Sequence, residues 1–355
     1  MRPRAAPPRD DAGEPALVDA LRDEIEQGGP ITFARFMQRA LYEPGLGYYA
    51  TSRERTTRAG DFLTAPELHP IFGRVVARQV DEMHQRLGEP ADFTVREYGA
   101  GRGTLGAALP AHLRYQPIEF ADRAPDEPLV GVVLANEFLD ALPVHRVEMR
   151  DGRLRELYVT WAGGRFTELA GEPSPGLADW FVDAGVDLAE GQRAEACPAV
   201  ADWLAEVAST IERGWVLIID YAAEPAELYG PRRQGGTLRT FRDHHFGSDV
   251  LAGVGRQDLT ATVDLGALER FAAAAGLDWL GRTTQAEFLA GAGLEVALAE
   301  ERARAGEDWQ AQLELRASIG RLLDPRATGG YAVVVMGRDV PDEPQLSGLS
   351  FRLER

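Results

Sequence analysis

Short apolar runs separated by amphipathic stretches dominate the chain and predict strands that alternate with helices. The clearest runs cover residues 93–98, 130–135, 215–219 and 331–336, and each has the length of a buried strand. Helical spacing of apolar residues covers six further stretches, at 16–27, 33–41, 66–87, 199–213, 265–275 and an alanine-rich segment after Thr104. This alternation predicts an α/β fold with a mostly parallel, doubly wound sheet.

A β-hairpin is the local structure that the sequence predicts most clearly. Two runs of β-forming residues, 144–149 and 154–161, flank the dipeptide Asp151-Gly152. An Asp-Gly pair between such runs is typical of a two-residue turn. We therefore expect antiparallel strands here, inside an otherwise alternating α/β pattern.

Polar groups follow the apolar run at 130–135 at once. Asn136, the only asparagine in a chain that has no lysine, comes first, and Glu137 and Asp140 follow it. Open α/β sheets place their chemistry at the carboxyl ends of strands, so these three side chains are candidates for contacting a reacting group. Alternatively, Glu137 and Asp140 only cap a following helix.

A glycine-rich turn follows the run at 93–98 and predicts a nucleotide-like ligand. Gly99, Gly101 and Gly103 allow the backbone to approach such a ligand closely, although the pattern also matches dinucleotide-binding loops. Glu97 favours S-adenosylmethionine over NAD, because an acid there suits a cationic amino-acid group. Glu119 is the candidate for the ribose hydroxyls, with Asp122 as the alternative.

Composition limits the kinds of partner and the cellular location that we expect for this chain. A net charge of −18 disfavours nucleic acid, and no apolar stretch is long enough to cross a membrane. Cys197 is the lone cysteine, which excludes an internal disulfide and suggests the cytoplasm; we interpret it as structural. The six histidines show no metal-binding spacing, so no metal site is predicted.

Six ordered sequence blocks resemble the MidA-type class I methyltransferases, relatives of a mitochondrial complex I assembly factor that methylates an arginine. The blocks are Gly45-Leu46-Gly47-Tyr48-Tyr49, Gly60-Asp61-Phe62-Leu63-Thr64-Ala65-Pro66-Glu67, the Glu97–Thr104 glycine turn, Ala135-Asn136-Glu137-Phe138-Leu139-Asp140-Ala141-Leu142-Pro143, Ile219-Asp220-Tyr221 and Gly236-Thr237-Leu238-Arg239. The resemblance spans about residues 31–336. It implies a Rossmann-like sheet of seven strands with a helical amino-terminal extension and a hairpin-containing insertion.

The sequence and the resemblance together predict domain boundaries. A disordered tail would cover residues 1–15 and the helical extension residues 16–90. The methyltransferase domain would cover residues 91–340, with the insertion at about 144–198, and a second tail would cover residues 341–355.

Site roles follow from the same resemblance. The block with Asp61 and Thr64 would cover the pocket for S-adenosylmethionine, which Glu97, Gly99, Gly101 and Gly103 would hold. The Asn136 block would face the acceptor, an arginine nitrogen of a protein client such as a respiratory-complex subunit. The oligomeric state stays open.

Two departures from the family pattern support a rival reading. Only residues 120–135 separate the second-strand acid from the Asn136 block, which is short for the expected helix and strand. Thr262 stands where the family has a histidine. A catalytically weakened scaffold that binds a client is therefore the main alternative, and an NAD-linked oxidoreductase is a distant third.

Overall fold

The computed structural model describes residues 13–51, 64–120, 122, 124–242 and 245–353, with the side chains of 245 and 246 excluded. Its α-helices are Pro15–Gly28 (α1), Phe33–Tyr42 (α2), Ala65–Leu68 (α3), Pro70–Arg86 (α4), Leu177–Asp183 (α5), Ala199–Thr210 (α6), Pro225–Leu228 (α7), Leu265–Ala274 (α8), Gln285–Gly291 (α9), Leu294–Ala305 (α10), Trp309–Leu323 (α11) and Ser347–Ser350 (α12). Its strands are Ile31–Thr32 (β1), Thr94–Tyr98 (β2), Arg114–Ile118 (β3), Leu129–Asn136 (β4), His145–Arg150 (β5), Arg153–Ala162 (β6), Arg165–Gly171 (β7), Arg193–Ala196 (β8), Ile211–Asp220 (β9), Ala222–Ala223 (β10), Arg239–Arg242 (β11), His245–Gly247 (β12), Asp258–Thr260 (β13), Val263–Asp264 (β14), Asp278–Thr284 (β15) and Ala332–Arg338 (β16).

A mixed six-stranded sheet forms the centre of the molecule, in the order β15-β16-β9-β4-β2-β3. The pairs β2–β3, β2–β4 and β4–β9 are parallel, whereas β16 pairs antiparallel with both β9 and β15. The α/β class is therefore confirmed. Six strands stand where seven were expected, because the described residues between β3 and β4 form neither helix nor strand.

Helices cover both faces of this sheet. Val132 and Leu134 of β4 point into a core that includes α4, α9, α10 and α11. Val133 and Ala135 point to the opposite side, into a core that includes α6 and α8. This alternation explains why β4 reads as a continuous apolar run, since a strand buried on both faces needs apolar residues at every position.

A second sheet joins the insertion to the amino-terminal extension. Strands β5, β6, β7 and β8 are antiparallel, and β1 of the extension pairs with β6 through Ile31 and Val159. The predicted hairpin turn is confirmed: Asp151 and Gly152 have φ values of 53° and 68°, as a two-residue primed turn requires. Helices α1 and α2 pack on this sheet in one core.

Local signals account for the helix starts. Thr32 caps α2, since its hydroxyl oxygen accepts a hydrogen bond from the Arg35 amide at 3.1 Å. The single helix expected at 66–87 is instead two, α3 and α4, because His69 precedes Pro70 and takes extended dihedrals. The Nδ1 atom of His69 then accepts the Ile71 amide at 3.1 Å and caps α4.

The alanine-rich helix expected after Thr104 is not present. The segment makes only one 3-10 turn at Gly106–Ala108 before Pro110. The Tyr115 ring covers Gly106 so closely that a Cβ there would lie 2.3 Å from the ring. The connection from β2 to β3 therefore lacks the usual crossover helix.

The end of the chain also differs from the expected tail. Past residue 340 the chain forms α12, and Leu346 and Leu349 are buried in the core beside α4 and α9. Within the part of the chain that the structure describes, no helix combines the length and the apolar character needed to cross a bilayer.

Candidate active site

The glycine turn after β2 places three left-handed backbone positions in succession. Gly99, Gly101 and Gly103 have φ values of 69°, 54° and 69°. Only Gly99 is crowded, because a Cβ there would lie 2.9 Å from the Phe138 ring. At Gly101 and Gly103 the nearest atoms would lie 4.0 and 3.9 Å away, so these two glycines leave room for a ligand against the backbone.

Glu97 lies at the end of β2 with 3% of its surface exposed. Its Oε2 atom accepts a hydrogen bond from the Tyr115 hydroxyl at 2.6 Å. Burial raises the pKa of Glu97 to about 7, although the Tyr115 hydrogen bond opposes that shift. A cationic group near this carboxyl would stabilise its ionised form, which fits the ammonium of an amino-acid ligand.

Glu119, just after β3, reaches back to the glycine turn. Its Oε1 atom accepts the Gly101 amide at 2.7 Å, and its own amide donates to Asp122 at 2.9 Å. The two acids considered for the ribose therefore lie together, and Glu119 is the one that contacts the glycine turn.

Asn136 and Glu137 end β4 in a tight turn. Glu137 has a φ of 50°, a left-handed value that is uncommon for a residue other than glycine and costs about 1 kcal/mol or more. Its Oε1 atom accepts the Ala65 amide at 2.9 Å and the Asn136 amide group at 3.4 Å. Asn136 is 8% exposed, and its Oδ1 atom has no hydrogen-bond partner among the described residues.

Asp220, at the end of β9, holds this turn in place. Its Oδ2 atom accepts the backbone amides of Phe138 at 3.1 Å, Leu139 at 2.8 Å and Asp140 at 3.4 Å. Its Oδ1 atom accepts the Tyr221 amide at 2.7 Å. In the sequence Asp220 stands out only as part of the Ile219-Asp220-Tyr221 block, and its role as the anchor of the turn becomes visible in the fold.

Four acids lie close enough to influence one another here: Glu137, Asp140 and Asp220 after or at the ends of β4 and β9, and Asp258 of β13. Burial raises the pKa of Glu137 to about 7 and that of Asp220 to about 6. The pKa of Asp140 lies well above its ordinary value because of burial and because of the charges of Asp220 and Asp258. The cluster resists carrying its full negative charge, so a bound cation would be strongly favoured.

An aromatic stack connects the Glu119 side of the site with the acid cluster. The rings of Phe120 and Tyr42 stack with centroids 3.6 Å apart, and Tyr42 stacks on Tyr49 at 5.6 Å. The Tyr49 hydroxyl donates to Asp258 at 2.9 Å. No sequence pattern predicted this stack, since its residues come from distant segments.

The extension contributes to the site through α3. Thr104 of the glycine turn donates its hydroxyl to Glu67 at 2.8 Å, and Ala65 binds Glu137 as described. Thr64 precedes Ala65 and begins α3 without a side-chain cap. Asp61, the other residue expected to cover the pocket, lies outside the described residues.

Two residues singled out in the sequence, although not as site residues, lie beside one small cavity of about 20 Å³, large enough for a single water. Thr262 lines it with its buried hydroxyl unpartnered among described residues. Cys197 also lines it, and burial raises the pKa of its thiol to about 12. The thiol is therefore protonated near neutral pH, as the structural interpretation of Cys197 requires.

Comparisons with known proteins agree with this geometry. Residues 111–283 match a family described as "Putative S-adenosyl-L-methionine-dependent methyltransferase". A crystal structure of a Burkholderia thailandensis protein bound to S-adenosyl-homocysteine is similar to this chain with a TM-score of 0.85 and 30% identity, over 98% of this chain and 97% of that one.

Curated relatives point the same way. The mitochondrial protein arginine methyltransferase NDUFAF7 of Xenopus tropicalis is 28% identical over 82% of this chain and 78% of its own length. The Drosophila melanogaster homologue is 27% identical over 74% of this chain and 73% of its own length. With the glycine turn, the sheet order and these similarities, the chain belongs to the MidA-type family of class I methyltransferases that use S-adenosylmethionine.

Proposed function

We propose that this methyltransferase acts on a guanidinium nitrogen of an arginine in a protein client. The observation that carries the proposal is the orphaned Asn136 Oδ1 atom, which is buried next to the Glu137 side chain, whose charge in turn acts on Asp140. A guanidinium offers five N–H donors and a permanent positive charge, and both would be satisfied there. The relatives named above as arginine methyltransferases support the same acceptor.

We place the cofactor against the open face of the glycine turn. We assign Gly101 and Gly103 to backbone contact with S-adenosylmethionine, Glu97 to its cationic end and Glu119 to its ribose. Gly99 supports the turn from behind, where it meets Phe138. Asp61 and Thr64 complete the cover of the pocket in this proposal.

Bound S-adenosylmethionine supplies a methyl group on a positively charged sulfur, and transfer is an in-line displacement that depends mainly on positioning. Asn136 and Glu137 orient the guanidinium nitrogen toward that methyl group. The nitrogen must lose one proton as its new N–C bond forms and the S–C bond breaks. Asp140 accepts that proton, which suits a carboxyl whose pKa burial has raised.

Titration calorimetry with S-adenosyl-homocysteine tests the cofactor half. We expect micromolar binding by the wild-type chain and its loss in Gly101→Val. Gly163→Val is the matched control, because Gly163 also has a positive φ of 60° and open space around it but lies in the β6–β7 turn. Equal affinity in all three proteins would count against the proposed site.

Methyl incorporation into arginine-containing peptides and candidate clients tests the acceptor half. Asn136→Ala and Asp140→Asn should reduce turnover at least tenfold with cofactor binding retained. The exposed Asp179→Asn change in α5 serves as the control. Methylation that survives when lysine replaces every acceptor arginine would overturn the arginine assignment.

The second candidate function is that of a scaffold that binds a client without catalysis. The short connections on the side of the sheet proposed to hold the cofactor favour it. The described residues between β2 and β4 contain one 3-10 turn and no α-helix. The test uses a client that co-purifies with the chain. If the chain binds both this client and the cofactor but transfers no methyl group, the scaffold function is supported. Turnover in the same preparation would exclude it.

For the compartment, the lone cysteine is compatible with the cytoplasm, which we keep as our proposal. The curated relatives named above are mitochondrial. Fractionation of the source cells with an antibody to the chain decides between the two.

A further inference from the structure

Two histidines and an aspartate converge outside the methyltransferase site. Asp81 and His84 lie one turn apart on the same face of α4, and His112 comes from the connection between β2 and β3. One potential ligand atom from each residue lies within 4.8 Å of the other two. Among the described residues this is the one such group found, and its parts are too far apart in sequence for a spacing pattern to reveal them.

The distances fit a metal site that is nearly assembled. The His112 Nε2 atom lies 3.9 Å from Asp81 Oδ1, and the rings of His84 and His112 have centroids 5.3 Å apart. Zinc binds nitrogen and carboxylate oxygen at about 2.0–2.2 Å in tetrahedral sites, which places ligand atoms roughly 3.4 Å from one another. The side chains of His112 and Asp81 are 56% and 38% exposed, so rotation about their own bonds can close the remaining gap.

Neighbouring groups already orient two of the three ligands. The Nε2 atom of His84 faces the Pro90 carbonyl oxygen at 3.3 Å, and its ring packs edge-on against Phe93. A histidine that donates one ring N–H to a carbonyl keeps its other nitrogen for a metal. The Oδ2 atom of Asp81 accepts a hydrogen bond from the side-chain amide of Gln85 at 2.8 Å, which leaves Oδ1 for the ion.

We propose that Asp81, His84 and His112 bind a divalent transition-metal ion of the zinc class, which fastens the β2–β3 connection to α4. This connection begins with the cofactor glycine turn and has no crossover helix to hold it. His112 lies just before the amino end of β3, whereas Glu119 follows the carboxyl end of the same strand. The ion therefore acts as a brace and takes no part in methyl transfer.

Calorimetry with zinc chloride on the chelator-treated full chain, without cofactor, tests the proposal. We expect one ion per chain and at least tenfold weaker binding in His112→Ala and in Asp81→Asn. Asp19→Asn, an exposed aspartate of α1, should leave the affinity unchanged. Equal binding in all four proteins would overturn the site, and so would a wild-type chain that binds zinc more weakly than a dissociation constant of about 100 μM.

Two further measurements separate an ordered site from loose surface binding. Cobalt(II) in place of zinc should give the intense visible bands of a tetrahedral ion in the wild-type chain and lose them in His112→Ala. Amide hydrogen exchange of residues 99–113 should slow on addition of zinc in the wild-type chain alone. Unchanged exchange would contradict the bracing role, and both results are independent of methyl transfer.

Discussion

Gly99 and Gly101 belong to one glycine motif, yet the structure predicts that alanine has different effects on stability and on cofactor binding at these two positions. Both have a positive φ, so alanine at either position is strained by about 1–2 kcal/mol. At Gly99 the new methyl group would also lie 2.9 Å from the Phe138 ring, whereas at Gly101 it meets nothing closer than 4.0 Å.

The two variants should therefore differ in stability. Overpacking of a buried contact costs about 1–3 kcal/mol, so Gly99→Ala should lose about 2–5 kcal/mol in total. Gly101→Ala should lose only the backbone strain. Phe138 follows Glu137, so its displacement in Gly99→Ala would also disturb the turn that Asp220 holds.

Chemical denaturation measures the free energies of unfolding, and calorimetry with S-adenosyl-homocysteine measures cofactor binding. Gly163→Ala supplies the backbone strain alone, because its φ is 60° and no atom crowds it. We expect Gly101→Ala to match this control in stability and to bind the cofactor more weakly. If Gly99→Ala were as stable as Gly163→Ala, the packing argument for the motif would be refuted.

Three further predictions concern acids and the sheet. Burial opposes the ionised form of Glu287, but hydrogen bonds from Thr283, Thr284 and Leu353 outweigh it and lower the pKa of this carboxyl to about 2. Because solvent screens part of this interaction, Glu287→Gln should cost about 1–2 kcal/mol near neutral pH, and denaturation should show the difference vanishing as pH falls from 4.5 toward 2. The pKa of Glu137 is about 7 in the folded protein and near 4.5 in the unfolded chain, so its contribution to the free energy of unfolding is full below pH 4.5 and is lost as pH rises through 7. The stability of Glu137→Gln relative to wild type should therefore rise from about pH 5 to about pH 8. Parallel curves of stability against pH for the two proteins would contradict this. Gly214→Ala would place a methyl group 2.0 Å from the Gly131 carbonyl oxygen between β9 and β4, so we expect insoluble or unfolded protein on expression.

The sequence predicted those parts of the fold that depend on neighbouring residues. The Asp151-Gly152 turn follows from the backbone preferences of the two residues themselves. The polar end of β4 was visible because a strand buried on both faces changes abruptly to Asn136.

Contacts between distant segments were beyond the same reasoning. Nothing in the sequence near Phe120 indicates that Tyr42 stacks on it, or that Tyr49 binds Asp258. The alanine-rich segment after Thr104 has helical composition, yet Tyr115 packs over Gly106 and the helix does not form. Composition states what a segment prefers in isolation, and tertiary packing decides what it forms.

The amino-terminal extension is best understood as one wall of the reacting site, because its contacts end on the residues proposed to do the chemistry. The Ala65 amide binds the carboxyl of Glu137, and the Tyr42 hydroxyl donates to the Ala141 carbonyl oxygen at 2.9 Å in the segment after Asp140. Glu137 keeps a strained φ of 50°, and such strain persists only where surrounding contacts hold the residue in place. The extension supplies one of those contacts and Asp220 holds the residues that follow. Release of α3 would therefore free the Glu137 carboxyl as well as uncover the glycine turn, so the position of the extension and the charge of the acid cluster are linked.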